Sequence, residues 1–323
     1  MTQAGFGASL PLLARAPAKI NLGLFVGPPR ADGRHELVSA MQSISLADTL
    51  TLREAPVGSA GDLVVCPGVA GPPEHTLAAS ALAAFRAATG WAGPALELTI
   101  DKHVPVAAGL GGGSGDAAAA LRLAAAASGL GDERLLLELA RELGADVPTQ
   151  VRPGRWLASG AGERLHPLPQ PRASFGVLVL PAAVALSTAA VYAQADRLRT
   201  GRSAVELAER HGALARALAE GAPLPPAALL GNDLQDAARA LCREIDAALA
   251  QARGAGADVA LLSGSGPTVL GLFAGADGRE RAQVAAAALS AERRASGAPA
   301  AFAAAPVDER FAAVESAPRA ARA

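Results

Sequence analysis

From Ala14 to Val26 the chain alternates in a way that predicts a strand, with Lys19 and Asn21 on one face by the period of two. Residues 1–13 read as a loose leader before it. Val38 to Ser45, Asp48 to Arg53 and Leu63 to Cys66 read as further strands, the first entered through the loop Asp32 to Leu37 (D-G-R-H-E-L). Glu74 to Thr89 has helical character and stops at Gly90, and Ala95 to Asp101 alternates again as a strand. A glycine-rich stretch follows, then a helix over Ser114 to Ala127. Asp132 caps a second helix that ends at Leu143–Gly144, and Trp156–Ser159 with Glu163–Leu168 form a hairpin about Gly160 and Gly162.

The Pro-rich segment Pro167 to Pro171 breaks both helix and sheet and marks a division into residues 1–170 and 171–323. Beyond it the pattern predicts a strand Phe175–Leu180, helices Thr188–Arg197 and Ala204–Ala219, and a long helix from Asp233 to about Ala252. A strand pair Ala257–Leu262 and Thr268–Phe273 about a glycine turn follows, then a helix Arg279–Leu289 and a strand Ala300–Val307. This order predicts an antiparallel sheet with helices on one face, ferredoxin-like in outline, and an α+β chain of two domains.

Composition narrows the chemistry. With 29 basic and 30 acidic residues the net charge is −1, so no global field recruits nucleic acid or an anionic membrane. Ala173 to Tyr192 carries no charge over about the length that spans a bilayer. Pro181 in its middle makes it a strand, a turn and a helix capped by Ser187 or Thr188, so a soluble, cytoplasmic protein is expected. Two distant cysteines, Cys66 and Cys242, fit reduced thiols, and five scattered histidines give no zinc spacing. The basic residues are nearly all arginine. Only Lys19 and Lys102 are lysines, which points to places where a compact ammonium fits and a guanidinium does not.

The chemistry centres on Val104 to Ala120, V-P-V-A-A-G-L-G-G-G-S-G-D-A-A-A-A. Glycine admits positive φ and close ligand approach, and a helix N-terminus offers free N–H groups, so the stretch is a seat for phosphate. No Lys-Ser/Thr follows the last glycine, which excludes a P-loop. Gly113-Ser-Gly-Asp-Ala-Ala118 matches the relaxed dinucleotide fingerprint. That fingerprint wants a buried strand running straight into the glycines, and Lys102, His103 and Pro105 stand there instead. A turn without a ligand is the remaining alternative.

P-A-K-I-N-L (Pro17 to Leu22), the glycine stretch, G-A-D-V-P (Gly144 to Pro148) and L-S-G-S-G-P (Leu262 to Pro267) occur in an order that resembles the GHMP kinases. The resemblance implies an N-terminal domain like ribosomal protein S5 domain 2, a ferredoxin-like C-terminal domain, and a site in the cleft between them. With A-D-G-R-H-E-L added, the chain most resembles the branch that uses ATP and Mg²⁺ to phosphorylate the 2-hydroxyl of a cytidine diphosphate-linked methylerythritol. Other small-molecule kinases of the superfamily, acting on homoserine or a mevalonate-type alcohol, are the alternative, and a non-catalytic nucleotide-binding relative is a third. A monomer or homodimer is expected.

By this resemblance Asp146 is the base and Lys19 its partner near the transferred phosphoryl. Pro105, Gly109, Leu110, Gly111, Gly112, Gly113, Ser114 and Gly115 would hold ATP, with Lys102 on the nucleotide side and the Ser114 hydroxyl, with Asp116 nearby, toward the metal. Asn21, Thr188, Gly264, Ser265 and Gly266 would approach the acceptor, and His35 and Tyr192 its base. Read without the resemblance, Asp146 is equally a helix N-cap, His35 an exposed loop residue and Tyr192 a half-buried helix aromatic. Two positions depart from the family pattern. Arg34 stands where an aromatic usually stacks on the cytosine, and Gly115 where a serine is usual.

Overall fold

The computed structural model describes residues 7–69 and 71–317. Its first half runs β1 (Leu12–Pro29), β2 (His35–Glu54), β3 (Leu63–Val65), α1 (Leu77–Thr89), β4 (Leu96–Asp101), α2 (Gly112–Ser128), α3 (Glu133–Leu143), α4 (Val147–Val151), β5 (Arg155–Gly160) and β6 (Arg164–Leu168). The second half runs β7 (Gly176–Leu180), α5 (Thr188–Leu198), α6 (Ala204–Leu218), β8 (Gly231–Asn232), α7 (Gln235–Leu241), α8 (Glu244–Gly254), β9 (Val259–Leu262), β10 (Val269–Phe273), α9 (Gly278–Ala295), β11 (Phe302–Ala304) and β12 (Glu315–Ser316).

The long antiparallel pair β1–β2 is the spine of the first sheet, to which β4 and β5 add on opposite stretches of β2. Two strands expected over 38–53 are one, because the chain bulges through Ser45 and Leu46 opposite Pro17–Ala18 instead of turning. Pro17 has no N–H to give the ladder, and a bulge accommodates that loss without ending the pairing. The expected leader also differs in part. Leu12 is already in β1 and fully buried, paired with both Leu52 and Ser316, while residues 1–6 lie outside the described residues. Helices α1 and α2 pack their small faces on this sheet. Ala117 to Leu121 are all buried against a cluster that includes Ala16, Leu50, Leu82, Phe85 and Leu98, so alanine brings the helix backbone close to the strands.

The second sheet is four-stranded and antiparallel in the order β11–β7–β10–β9, the ferredoxin-like order expected of it. The chain after residue 170 also returns to the first sheet, where β8 pairs with β1 and β12 extends its edge.

Three expectations here need correction. The long helix from Asp233 is two, α7 and α8, broken at an extended Cys242. Asp233 caps neither, because its carboxylate accepts two bonds from the Arg202 guanidinium at 2.6 and 2.7 Å and one from the Val26 N–H. Helix α9 outruns Leu289 by six residues, to Ala295, because Arg293 is buried and gives its N–H groups to the carbonyls of Pro181 and Pro299 and to Gln251. Strand β11 is correspondingly shorter than the expected 300–307.

Candidate active site

The glycine stretch sits where the two sheets meet. The Lys19 N–H donates to the Leu110 carbonyl at 2.8 Å, and the Ser263 hydroxyl donates to the Gly109 carbonyl at 3.1 Å, so strand β1 and the turn after β9 grip the loop from both sides. Gly109 has φ +73°, and a β-carbon there would stand 2.5 Å from the Ser263 carbonyl oxygen. Gly111 has φ +70° and caps α2, which opens at Gly112, two residues before the expected Ser114. Ala107 takes a left-handed φ of +54°, uncommon for a residue with a β-carbon and frequent in loops shaped by a ligand.

The loop separates two cavities. One, of about 330 Å³, is lined by Pro105, Gly109 to Ser114, Lys102 and Asp116, with Cys66 and Thr76 across from them. The other, of about 350 Å³, is lined by Lys19, Asn21, Ser39, Asp146, Thr188, Tyr192, Gly264 and Ser265. Gly109, Gly111 and Ser114 line both. An anion seated on the N-terminus of α2 would therefore lie within reach of groups in the second cavity.

In that second cavity Lys19, 6% exposed, places Nζ 3.4 Å from Asp146 Oδ2 and donates to Asn21 Oδ1 at 3.1 Å. Asn21 in turn donates to the Ser39 hydroxyl at 2.7 Å, and Ser39 to the Gly23 carbonyl. The chain of bonds orients Asn21 so that its oxygen faces the ammonium. Asp146 precedes α4 but makes no side-chain cap bond. Its carboxylate, 39% exposed, is free toward the cavity, so the helix-cap alternative is not the arrangement found.

Lys102 is held in the first cavity by two carboxylates, Asp48 at 2.5 Å and Asp116 at 2.7 Å. Asp48 is fully buried and also accepts the N–H groups of His103 at 2.6 Å and Val104 at 2.8 Å. Burial pushes the Asp116 carboxyl up to about 7; the Lys102 charge opposes this and the Asp48 charge adds to it. Burial also works against the Lys102 ammonium, but the two carboxylates outweigh it and hold its pKa above the ordinary value. Asp116 gives one oxygen to Lys102, while its other oxygen is buried without a protein partner. Among the described residues no group of three or more His, Cys, Asp or Glu side chains is placed to hold a metal ion.

The remaining residues divide. Thr188 and Ser265 bring their hydroxyls to 2.9 Å, joining the start of α5 to the glycine turn after β9. Tyr192 lines the second cavity, its pKa pushed up to about 12 by burial and then by the Asp146 charge. His35 packs on Tyr192 with ring centroids 4.9 Å apart, and its Nε2 bonds Asp196 Oδ1 at 2.8 Å. Arg34 is not brought in. It is 57% exposed, lines neither cavity, and folds onto Asp32 through bonds of 2.9 and 3.1 Å. Gly115 also lies outside both cavities; a β-carbon there would meet the Pro17 carbonyl oxygen at 3.2 Å, so a hydroxyl at that position would face β1. Gly266 shapes the turn beneath Gly109 without lining a cavity.

Four residues escaped the sequence reading: Asp48, Ser39, Asp196 and Asn232. The last donates to the Leu262 and Gly264 carbonyls at 2.9 and 2.7 Å and fixes the second glycine turn. Asp48 left a faint signal, a charge opening a strand otherwise read from its apolar positions.

Comparison with known proteins gives the family. Residues 76–154 match the model of the GHMP kinases N-terminal domain and residues 203–294 that of the GHMP kinases C-terminal domain. The chain is similar to 4-diphosphocytidyl-2-C-methyl-D-erythritol kinase of Salinispora tropica, 40% identical over 90% of this chain and 92% of the relative. The Nocardia farcinica protein of that name is 44% identical over 83% and 86%. A crystal structure of 4-(cytidine 5'-diphospho)-2C-methyl-D-erythritol kinase superposes with a TM-score of 0.70 at 32% identity, covering 91% of this chain and 98% of that one. A homoserine kinase from Cytophaga hutchinsonii superposes at 0.67 with 17% identity over 94% and 97%, a likeness of fold alone. Two cavities meeting at a glycine-rich helix start, a lysine–aspartate pair beside it, and these matches along its length together place the chain in the GHMP kinase family.

Proposed function

We propose that the chain transfers the γ-phosphoryl group of ATP to the 2-hydroxyl of 4-diphosphocytidyl-2-C-methyl-D-erythritol, a step of non-mevalonate isoprenoid synthesis. The observation that carries the chemistry is the Lys19–Asp146 pair facing the glycine loop from the acceptor side. The relatives' identity of 40% and more over most of the chain carries the substrate.

ATP sits in the first cavity, with its phosphates on the N–H groups at the start of α2 and against Ser114. The acceptor sits in the second, its hydroxyl between Asp146 and the γ-phosphorus. As the hydroxyl oxygen bonds to phosphorus, the bond to the β-phosphate oxygen breaks and Asp146 takes the hydroxyl proton. Lys19 balances the negative charge that gathers on the transferring group and, paired with Asp146 at 3.4 Å, holds that carboxylate in place. Mg²⁺ would enter with ATP and neutralise charge on the phosphates, and the Ser114 hydroxyl, which lines both cavities, is the protein group that would help hold it. Tyr192, backed by the His35 ring that packs on it from outside the cavity lining, forms an aromatic wall for the cytosine, while Thr188, Asn21 and Ser265 surround the methylerythritol end.

In this reading residues 1–170 supply ATP binding and the catalytic pair, and residues 171–323 supply much of the acceptor wall. Its setting is cytoplasmic; no helix among the described residues is long and apolar enough to cross a membrane. The test is ATP consumption against a panel of the cytidyl substrate, homoserine, mevalonate and galactose. Turnover with the first alone is expected, and turnover confined to another member would replace the substrate assignment.

A further inference from the structure

The glycine loop is tied at both ends to one buried carboxylate that lies outside it. Residues 102–104 lead into the loop, and Gly112 to Asp116 lead out of it into α2. Asp48 holds the entry through the His103 and Val104 N–H groups. It holds the exit through the Lys102 ammonium, which reaches across to Asp116. The two ends are also in direct contact, since a β-carbon at Gly112 would stand 3.1 Å from Val104 Cγ1 and 3.4 Å from Lys102 Nζ. Asp48 can do this because it follows the bulge in β2, which turns its side chain into the core, where it is 0% exposed.

We propose that Asp48 is a positioning residue for ATP. Acting through Lys102 and Asp116, it closes the glycine loop at its base, so that the N–H groups at the start of α2 and the Lys102 ammonium are aimed at the nucleotide before it arrives. An ammonium has three protons to give, and the carboxylates take two; the third is left for the cavity that Lys102 lines. Pre-setting the loop lowers the ordering cost of binding, and this acts on nucleotide affinity rather than on the acceptor.

This inference rests on the first cavity being the ATP site, so equilibrium ATP binding to the native protein is measured first. If the native protein binds no ATP, the proposed function falls. The inference itself is tested with Asp48→Asn, Lys102→Met and the double variant, reading kcat, the KM of each substrate and thermal stability.

In Asp48→Asn the amide nitrogen would face the ammonium and release it, so KM for ATP is expected to rise about tenfold or more while acceptor KM stays within about twofold. The double variant is expected to match Lys102→Met, since residues acting through one another are not additive. ATP affinity in Asp48→Asn equal to native, equal rises in both KM values, or full additivity in the double variant would each overturn the inference. If Asp48→Asn does not fold, Asp116→Asn decides, because it leaves both backbone bonds of Asp48 in place. An ATP-specific rise in KM supports the triad, and an unchanged KM removes it.

Discussion

Lys19 Nζ lies 3.4 Å from Asp146 Oδ2, yet the two residues come from distant parts of the chain, one from the middle of β1 and the other from the turn before the short helix α4. Only the ammonium is sequestered; the carboxylate keeps a face open to the cavity. That asymmetry suits a base that must receive a proton and a cation that must stay put. Asp146→Asn is expected to fold normally and lose about 10²–10⁴ in kcat, the range for one positioned general base. Steady-state turnover checks it, and native kcat in the variant would remove Asp146 from the mechanism.

Lys19 is packed tightly enough to forbid the residue this chain otherwise prefers. A β-carbon at Gly111 would stand 2.9 Å from Lys19 Cγ, and one at Gly264 3.6 Å from its Nζ. A guanidinium is wider than an ammonium and fixed in plane. Lys19→Arg is therefore expected to lose kcat as severely as Lys19→Met, measured side by side. Near-native turnover in the arginine variant would show that charge alone suffices.

Gly109 carries the contact between the glycine loop and the turn after β9. Gly109→Ala meets both a left-handed φ and the Ser263 carbonyl, so a loss of roughly 1–3 kcal/mol is expected in denaturant unfolding. KM for both substrates should rise, since the loop borders both cavities. A stable variant with native constants would mean that the loop relaxes freely.

Arg34, expected from its place in the chain to lie at the base, is bound to Asp32 instead. Arg34→Ala should leave acceptor KM within about twofold, whereas Tyr192→Ala should raise it about tenfold or more with ATP KM unchanged. The opposite ranking would return Arg34 to the base site.

Away from the site, His211 is held below its ordinary value of 6.5, first by burial and then by the charge of His166. The unfolded chain then binds that proton more readily, so stability is lost as pH falls below about 6.5 and is restored above it. His211→Gln should flatten that acid-side slope in unfolding measurements between about pH 5 and pH 7.5. An identical slope in the variant would assign it to other groups.

Local periodicity was enough for most elements, because strand alternation, Asp132 as a cap and Gly90 or Gly144 as stops act over a few residues. The unusual lysines and the glycine stretch announced phosphate chemistry for the same reason, since residue type and backbone freedom are properties of the chain itself. Where prediction and structure differ, a distant partner intervened. Asp233 was drawn from its helix by Arg202, and α9 was extended by the buried contacts of Arg293; Arg34 is the exception, turned away by Asp32 only two residues before it.

The two lysines show the division most clearly. Their identity is written in the sequence, but tertiary structure set Lys19 in the second cavity and Lys102 in the first, on opposite sides of the glycine loop. No local rule brings Asp48 under that loop or Asp146 across from Lys19. Those placements follow from sheet pairing between segments tens of residues apart, whose energy comes from packing and ladder bonds that a linear reading does not contain.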